Sequence, residues 1–124
     1  MKKIILVTCV APKKSQKCAA KDLYQGDLFK HLMDFAEAQN PAHIFILSGK
    51  NHLLELETEI EPYDVNLNEV SEEALKAWSG KVLAQLKEQG CDLQNDYFYL
   101  LTNETYRRHL MREIKQYEVP FYIE

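Results

Sequence analysis

Residues 44–64, IFILSGKNHLLELETEIEPYD, decide how the rest of this chain reads. Ile44 to Leu47 is a continuous apolar run, and with His43 before it the composition is that of a strand buried on both faces. The run stops at Ser48-Gly49. A polar loop with Lys50, Asn51 and His52 follows, and the stretch closes on Glu61-Pro62-Tyr63-Asp64. A buried strand that ends abruptly in reactive side chains is where α/β proteins place their binding sites.

The flanking sequence supplies the rest of such a fold. Lys3 to Cys9 (KIILVTC) is another buried strand, followed by a long polar connection over 10–25. Leu28, Phe29, Leu32, Met33, Phe35 and Ala36 recur at helical spacing between about Asp27 and Gln39, and Asn40-Pro41 ends that helix. After the 49–70 loop, Ser71 is placed to cap a helix whose first turn carries Glu72 and Glu73. Leu75, Trp78, Val82, Leu83 and Leu86 give that helix its buried stripe, and Gly90 suits its C-terminal cap. Tyr97 to Leu101 is a third strand. Asn103 opens a last helix with Tyr106, Leu110, Met111, Ile114 and Tyr117 on one side, and Val119 to Ile123 forms a short final strand.

The order β-α-β-α-β-α-β with right-handed crossovers predicts a single domain over 1–124. Its fold class is α/β, a three-layer Rossmann-like sandwich with a small, mostly parallel four-stranded sheet. All strand-to-helix loops then open on one edge. The loops after the first two strands are far longer than the roughly 2–6 residues common in such connections.

Composition narrows the function classes. The 124 residues carry a net charge of -4, with 27% charged and 46% hydrophobic residues, which argues against a molecule built to coat nucleic acid or anionic membrane. No apolar run approaches the roughly 18 residues of a membrane span. The opening MKKIILVTCV superficially suggests a signal peptide, but its β-branched run reads as the first strand. Cys9, Cys18 and Cys91 form neither a disulfide framework nor a metal-spaced pair, which points to a reducing, cytoplasmic setting. The four histidines show no metal-ligand spacing, and no motif indicates a cofactor.

The candidate site residues cluster on the two long loops. In the first, Lys13, Lys14, Lys17 and Lys21 are able to neutralise an anion, or simply to be solvated. Cys9 is a polarised thiol or, more commonly, a small buried hydrophobe. Asp22 faces a ligand or bonds nearby amides, and Tyr24 stacks on a planar ligand or anchors the loop. In the second loop, Ser48 and Gly49 end the strand, and Gly49 lets the backbone turn or approach a ligand closely. Lys50 binds phosphate, or acts as a nucleophile if burial depresses its pKa; the plain alternative is an exposed lysine. His52 is a general base or a structural histidine. Leu53, Leu54 and Leu56 are expected to fold the loop back onto the core. Ile60 and Pro62 fix the approach to Tyr63, a second stacking candidate, and Asp64, a base or a loop cap. Thr102 and Asn103 reach the same edge. Arg107, Arg108, His109, Arg112 and Lys115 make the last helix locally basic, a solvated face or a contact for a polyanion.

Four of these segments resemble a family. The pattern is Cys9-x3-Lys13, Lys21-Asp22-Leu23-Tyr24-x-Gly26-x-Leu28-Phe29, Ile46-Leu47-Ser48-Gly49-Lys50 and Glu61-Pro62-Tyr63-Asp64-x-x-Leu67. In that order they look like a small bacterial and phage family of uncharacterised proteins, related to the YaaA-type peroxide-stress proteins. The resemblance spans about residues 1–105 and is most specific over 46–67. It implies oxidative-stress protection and DNA binding, or action on nucleobases or their glycosidic bonds. A looser likeness exists to deazaguanine-modifying enzymes with a lysine nucleophile. Relatives of this type carry His-Gly where this chain has Asn51-His52, so His52 stands in a glycine's place, one suited to a positive φ. Relatives also often continue past the fourth strand with a glycine-containing segment.

Together these readings predict a nucleotide, nucleobase or nucleic-acid ligand in a cleft between the loops after strands one and two, with Lys50 and Asp64 as the catalytic candidates of an enzyme. Lys13 and Lys50 would hold an anion, and Tyr24 or Tyr63 would stack. The alternative is a non-catalytic interaction module, possible as a homo-oligomer, that docks through the leucine-rich residues 53–60.

Overall fold

The computed structural model describes residues 1–8, 15–24, 26–63, 65, 67–121 and 123. Cys9, Lys13 and Asp64, singled out above, lie outside the described residues. Along the chain come β1 (Lys3–Thr8), β2 (Cys18–Ala19), the single turn α1 (Ala20–Leu23) and α2 (Asp27–Ala38). Next are β3 (His43–Ser48), β4 (His52–Glu55), β5 (Glu59–Ile60), a 3-10 turn at Leu67–Glu69 and α3 (Glu72–Glu88). The last elements are β6 (Tyr97–Leu101), the one-turn α4 (Glu104–Arg107) and β7 (Gln116–Glu118).

The chain is a mixed α/β protein with a five-stranded, mostly parallel sheet in the order β4-β3-β1-β6-β7. β3, β1, β6 and β7 run parallel, and β4 is antiparallel to β3. Strand alternation sorts the core into two clusters. Ile4, Leu6, Phe45, Leu47, Phe98 and Leu100 pack against Leu75, Trp78, Val82 and Leu86 of α3. Their neighbours Ile5, Val7, Ile46 and Leu101 pack against Phe29, Leu32 and Ala36 of α2. Each fully buried aliphatic chain is worth about 1.5–3 kcal/mol of transfer free energy, so continuous apolar strands are what this two-sided burial selects.

The sheet has five strands rather than the expected four, because residues 52–55 are a strand and not part of a loop. Gly49, Lys50 and Asn51 make a three-residue reversal that returns the chain along β3, pairing Ser48 with His52. Consecutive strand residues point to opposite faces. Leu53 therefore enters the α3-side cluster and Leu54 the α2-side cluster, which is why two adjacent leucines are both buried. The outer amide of Leu53 donates to Gln85 Oε1 of α3 at 3.0 Å.

The last predicted helix is shortened to one turn, followed by hydrogen-bonded turns over 108–113. Leu110 and Ile114 are buried as the periodicity predicts. The final strand is Gln116–Glu118, upstream of the expected Val119–Ile123. It pairs with β6 from Tyr97 to Tyr99, and Pro120 has no amide with which to extend that ladder.

Caps and staples agree with the sequence. Ser71 Oγ accepts the Ala74 amide at 3.1 Å, and Asn103 Oδ1 accepts the Tyr106 amide at 3.2 Å. Gly90 ends α3 with φ 83, as a helix C-terminus prefers. Asp96 ties the start of β1 to the start of β6 by accepting the Lys2 and Asp92 amides, both at 2.8 Å. Burial pushes the Asp96 carboxyl up, but those two amides and the Lys2 charge more than reverse it and leave its pKa lowered. Among the described residues no helix is long and apolar enough to cross a membrane.

Candidate functional site

Three adjacent parallel strands end in hydroxyl side chains. Thr8 follows Val7, Ser48 follows Leu47 and Thr102 follows Leu101 at the carboxyl edge of the sheet. Val7 pairs with Leu101, which brings Thr102 level with Thr8, whereas Thr8 pairs with Leu47, so Ser48 lies one residue further along and faces the opposite side. All three are buried, at 1%, 0% and 0% exposure. Ligands of open α/β sheets bind outside this edge. The hydroxyls differ in occupation. Ser48 Oγ accepts the Asn51 amide at 2.9 Å. Thr102 Oγ1 has no hydrogen-bond partner among the described residues. The Thr102 carbonyl accepts from Arg107 Nη1.

Ser48 and Gly49 are also held by the α3 side. The Ser48 carbonyl accepts Trp78 Nε1–H at 2.9 Å. Trp78 meets Tyr106 edge to face, with centroids 5.5 Å apart. Gly49 is buried, and a Cβ on it would lie 2.9 Å from the Val65 carbonyl and 3.4 Å from the Tyr106 hydroxyl. Glycine is required here by close backbone approach. Lys50 sits exposed at the tip of the reversal, so the burial that a nucleophilic lysine needs is not there.

His52 has φ 64, a left-handed conformation that favours glycine. Its ring stacks on Trp78 at 6.4 Å. Burial, then the Lys81 charge, pushes the imidazole pKa down. Both rings line a 400 Å³ hollow with Leu67, Ala74 and Ala77. Placed there by packing, His52 has the surroundings of a structural histidine.

The two long loops meet on the other side of the sheet. Cys18 and Ala19 pair with Ile60 and Glu59 as β2 and β5. The Ala20 amide donates to the Thr58 carbonyl at 2.7 Å, and the Lys21 amide to the Leu56 carbonyl at 3.0 Å. The Tyr24 and Tyr63 hydroxyls are 2.5 Å apart, with their rings edge to face. Tyr24 is buried against Phe29, and Tyr63 is half-buried.

Beside this junction lies a hollow of 610 Å³, formed by residues of the α1 region, α2 and the 56–57 turn. Asp22 and Tyr24 line it, with Asp34, Glu37 and Glu57 as further acids and Lys21 and Lys30 as its cations. Lys21 Nζ is 2.7 Å from Glu57. That hydrogen bond and charge raise the lysine pKa. The hollow is therefore acidic. Its open rim suits a neutral or cationic group and repels a phosphate.

The structure thus divides the expected site residues. Asp22, Tyr24 and Tyr63 gather at the loop junction, whereas Ser48, Gly49 and Lys50 belong to the reversal braced by α3. Thr8, Trp78 and Tyr106 were not among the predicted site residues. A legible signal existed for the strand-end hydroxyls: KIILVT, HIFILS and YFYLLT share one ending, an apolar run closed by Thr or Ser. No such pattern announces that the Trp78 indole nitrogen binds a strand-end carbonyl.

A model of a family of unknown function (DUF6884) matches residues 4–122. No curated protein and no solved structure matches the chain. The match agrees with the expected membership of an uncharacterised family; it carries no link to YaaA-type proteins or to a bacterial or phage source.

Proposed function

The chain belongs to the family of unknown function DUF6884, so its activity has to be read from its own site, and we propose that it binds a nucleoside or nucleobase at the junction of its two long loops. The observation that carries this reading is the Tyr24–Tyr63 hydroxyl contact beside the 610 Å³ acidic hollow. Tyr63 offers a half-exposed ring edge and a phenol for a planar ligand. Asp22 and Asp34 offer carboxylates that accept hydrogen bonds from ribose hydroxyls or an exocyclic amine. The surplus of carboxylates directs the phosphate end of a nucleotide away from this hollow. Lys50, which does not line the hollow, and Lys13 are the proposed contacts for that end.

The net charge of -4 favours a small ligand over a nucleic-acid polymer. The likeness to YaaA-type proteins over 46–67 and the Rossmann-like reading of the fold support the same carboxyl edge. A base-modifying or glycosidic enzyme would draw on Lys50 and Asp64. The exposure of Lys50 fits anion binding better than nucleophilic attack. The interaction-module alternative loses much of its motive, since Leu53, Leu54 and Ile60 are buried in the chain's own core.

Isothermal titration with the four ribonucleosides and their 5′-monophosphates tests the proposal. At least one nucleoside is expected to bind, no more weakly than its monophosphate, and Asp22→Asn and Tyr63→Ala are expected to weaken it. Tighter monophosphate binding that Lys50→Ala abolishes would move the ligand out of the acidic hollow. Absence of binding by every compound would end the reading.

A further inference from the structure

The basic run that follows β6 has a divided fate. Arg107 is spent on the Thr102 carbonyl. Arg108 is neutralised twice, by Glu72 at 2.8 Å and Glu104 at 2.7 Å. His109, 7% exposed, bonds Glu72 through Nε2 at 2.7 Å. Arg112 is exposed and makes no ion pair among the described residues, and the same holds for Lys76 across on α3.

These two unpaired cations line one hollow of 310 Å³ between α3 and the 108–113 turns, together with Ser79, Gly80, His109 and Glu113. Ser79 is 1% exposed, and its Oγ has no hydrogen-bond partner among the described residues. A mid-helix serine usually returns its hydroxyl to the carbonyl four residues back or points it at water. Here it does neither, and an unsatisfied buried hydroxyl costs stability. Gly80 follows in the middle of a helix, where glycine is disfavoured. A Cβ there would meet nothing within 4 Å, so no packing demand explains it. Its bare backbone keeps this wall of the hollow open.

We propose that this hollow between α3 and the 108–113 turns binds a small phosphate-bearing molecule, with Lys76 and Arg112 holding the charge and the Ser79 hydroxyl donating to a phosphoryl oxygen. Two cations against one carboxylate, Glu113, give it the opposite sign to the hollow at the loop junction. Arg112 supplies a planar fork for phosphoryl oxygens and Lys76 a point charge. His109, fixed by Glu72, makes a rigid wall. The volume suits a phosphoryl group on a small carbon skeleton rather than a polymer. The site shares no residue with the proposed nucleoside site, and either stands if the other fails.

The test is an amide-shift titration of the full chain by nuclear magnetic resonance, with inorganic phosphate, ribose 5-phosphate and ribose. Saturable shifts centred on Ser79, Gly80 and Arg112 are expected with both phosphates and not with ribose. Lys76→Gln and Arg112→Gln, both at exposed positions, should each weaken binding roughly tenfold, the loss of one charge-assisted contact. Ser79→Ala should weaken it several-fold while leaving the thermal midpoint unchanged or higher, because it removes an unpartnered buried hydroxyl. A serine with only a structural role would lower the midpoint and leave affinity alone. Affinity unchanged in the Lys76→Gln, Arg112→Gln double variant overturns the proposal. So does a response to a single-stranded oligonucleotide with none to the small phosphates, which would make this face a polyanion surface.

Discussion

Trp78 with Tyr106 on one side of the sheet, and Tyr24 with Tyr63 on the other, each join segments that follow different strands, but they fasten them by different means. Trp78 and Tyr106 are both 4% exposed and meet through their carbon faces, and the indole N–H is consumed by the Ser48 carbonyl. Tyr24 and Tyr63 meet through their hydroxyls, and Tyr63 keeps part of its surface in water. Dispersion and apolar burial have no ready substitute once lost. A hydroxyl contact near water exchanges with a solvent molecule or a ligand at little net cost. The first pair therefore reads as architecture and the second as a latch on a site.

The widest separation between the pairs should appear in stability. Trp78→Ala removes a buried indole, its edge-to-face contact and the bond to Ser48, and should cost about 3–5 kcal/mol. Tyr63→Ala should cost well under half as much. Urea denaturation of both variants checks this, and equal costs would erase the distinction.

Gly49→Ala tests the architectural side at the backbone. The new Cβ would lie 2.9 Å from the Val65 carbonyl, a main-chain atom, so a loss of about 1–3 kcal/mol is expected. A midpoint like that of the unsubstituted chain would mean that residues around Val65 yield freely.

Tyr24→Phe tests the latch. It deletes only a hydroxyl, for a loss of about 1 kcal/mol or less. Its main effect should be faster amide exchange over 15–24 and 56–63, with α3 unaffected. Uniform acceleration throughout the chain would make Tyr24 part of the general core instead.

The smallest effect concerns acid. The folded state holds His52 below the ordinary value of 6.5, so the unfolded chain takes up that proton first. Stability contributed by neutral His52 is complete above about pH 6.5 and declines as pH falls from there toward the folded pKa. Glu72 and Glu104 are lowered from 4.5 and Asp92 and Asp96 from 3.8, so their losses come only at lower pH. His52→Asn, which tolerates the left-handed backbone, should flatten the slope just below pH 6.5 in thermal melts. An unaltered slope would assign it to another group.

Much of this fold was legible because its main elements obey one rule each. KIILVT and HIFILS are apolar on both faces and became central strands; the 3.6-residue stripe of α3 and its Ser71 cap appear as the sequence implies. The misreadings share a cause. HLLE and the residues after Tyr106 are short, and their structure follows from what they pack against rather than from periodicity. Of the candidate site, the approach of the two long loops was legible, since they meet through β2 and β5. The site's sign was not. Asp34, Glu37 and Glu57 lie on a helix and a turn apart from Asp22 in sequence, and only the folded chain collects them around one hollow.

The bond from the Leu53 amide to Gln85 has a consequence for behaviour in a crowded solution. The outermost strand of a sheet is a template on which a foreign strand can grow, the first step toward fibres and clumps. Here an outward amide of β4 is already occupied by a helix side chain, with the charge of Glu55 two residues on. At the opposite end β7 offers only three residues before Pro120. Both edges of the ribbon are thus blunted against strand addition, and Gln85→Leu is a change that would bare the outward amide of Leu53.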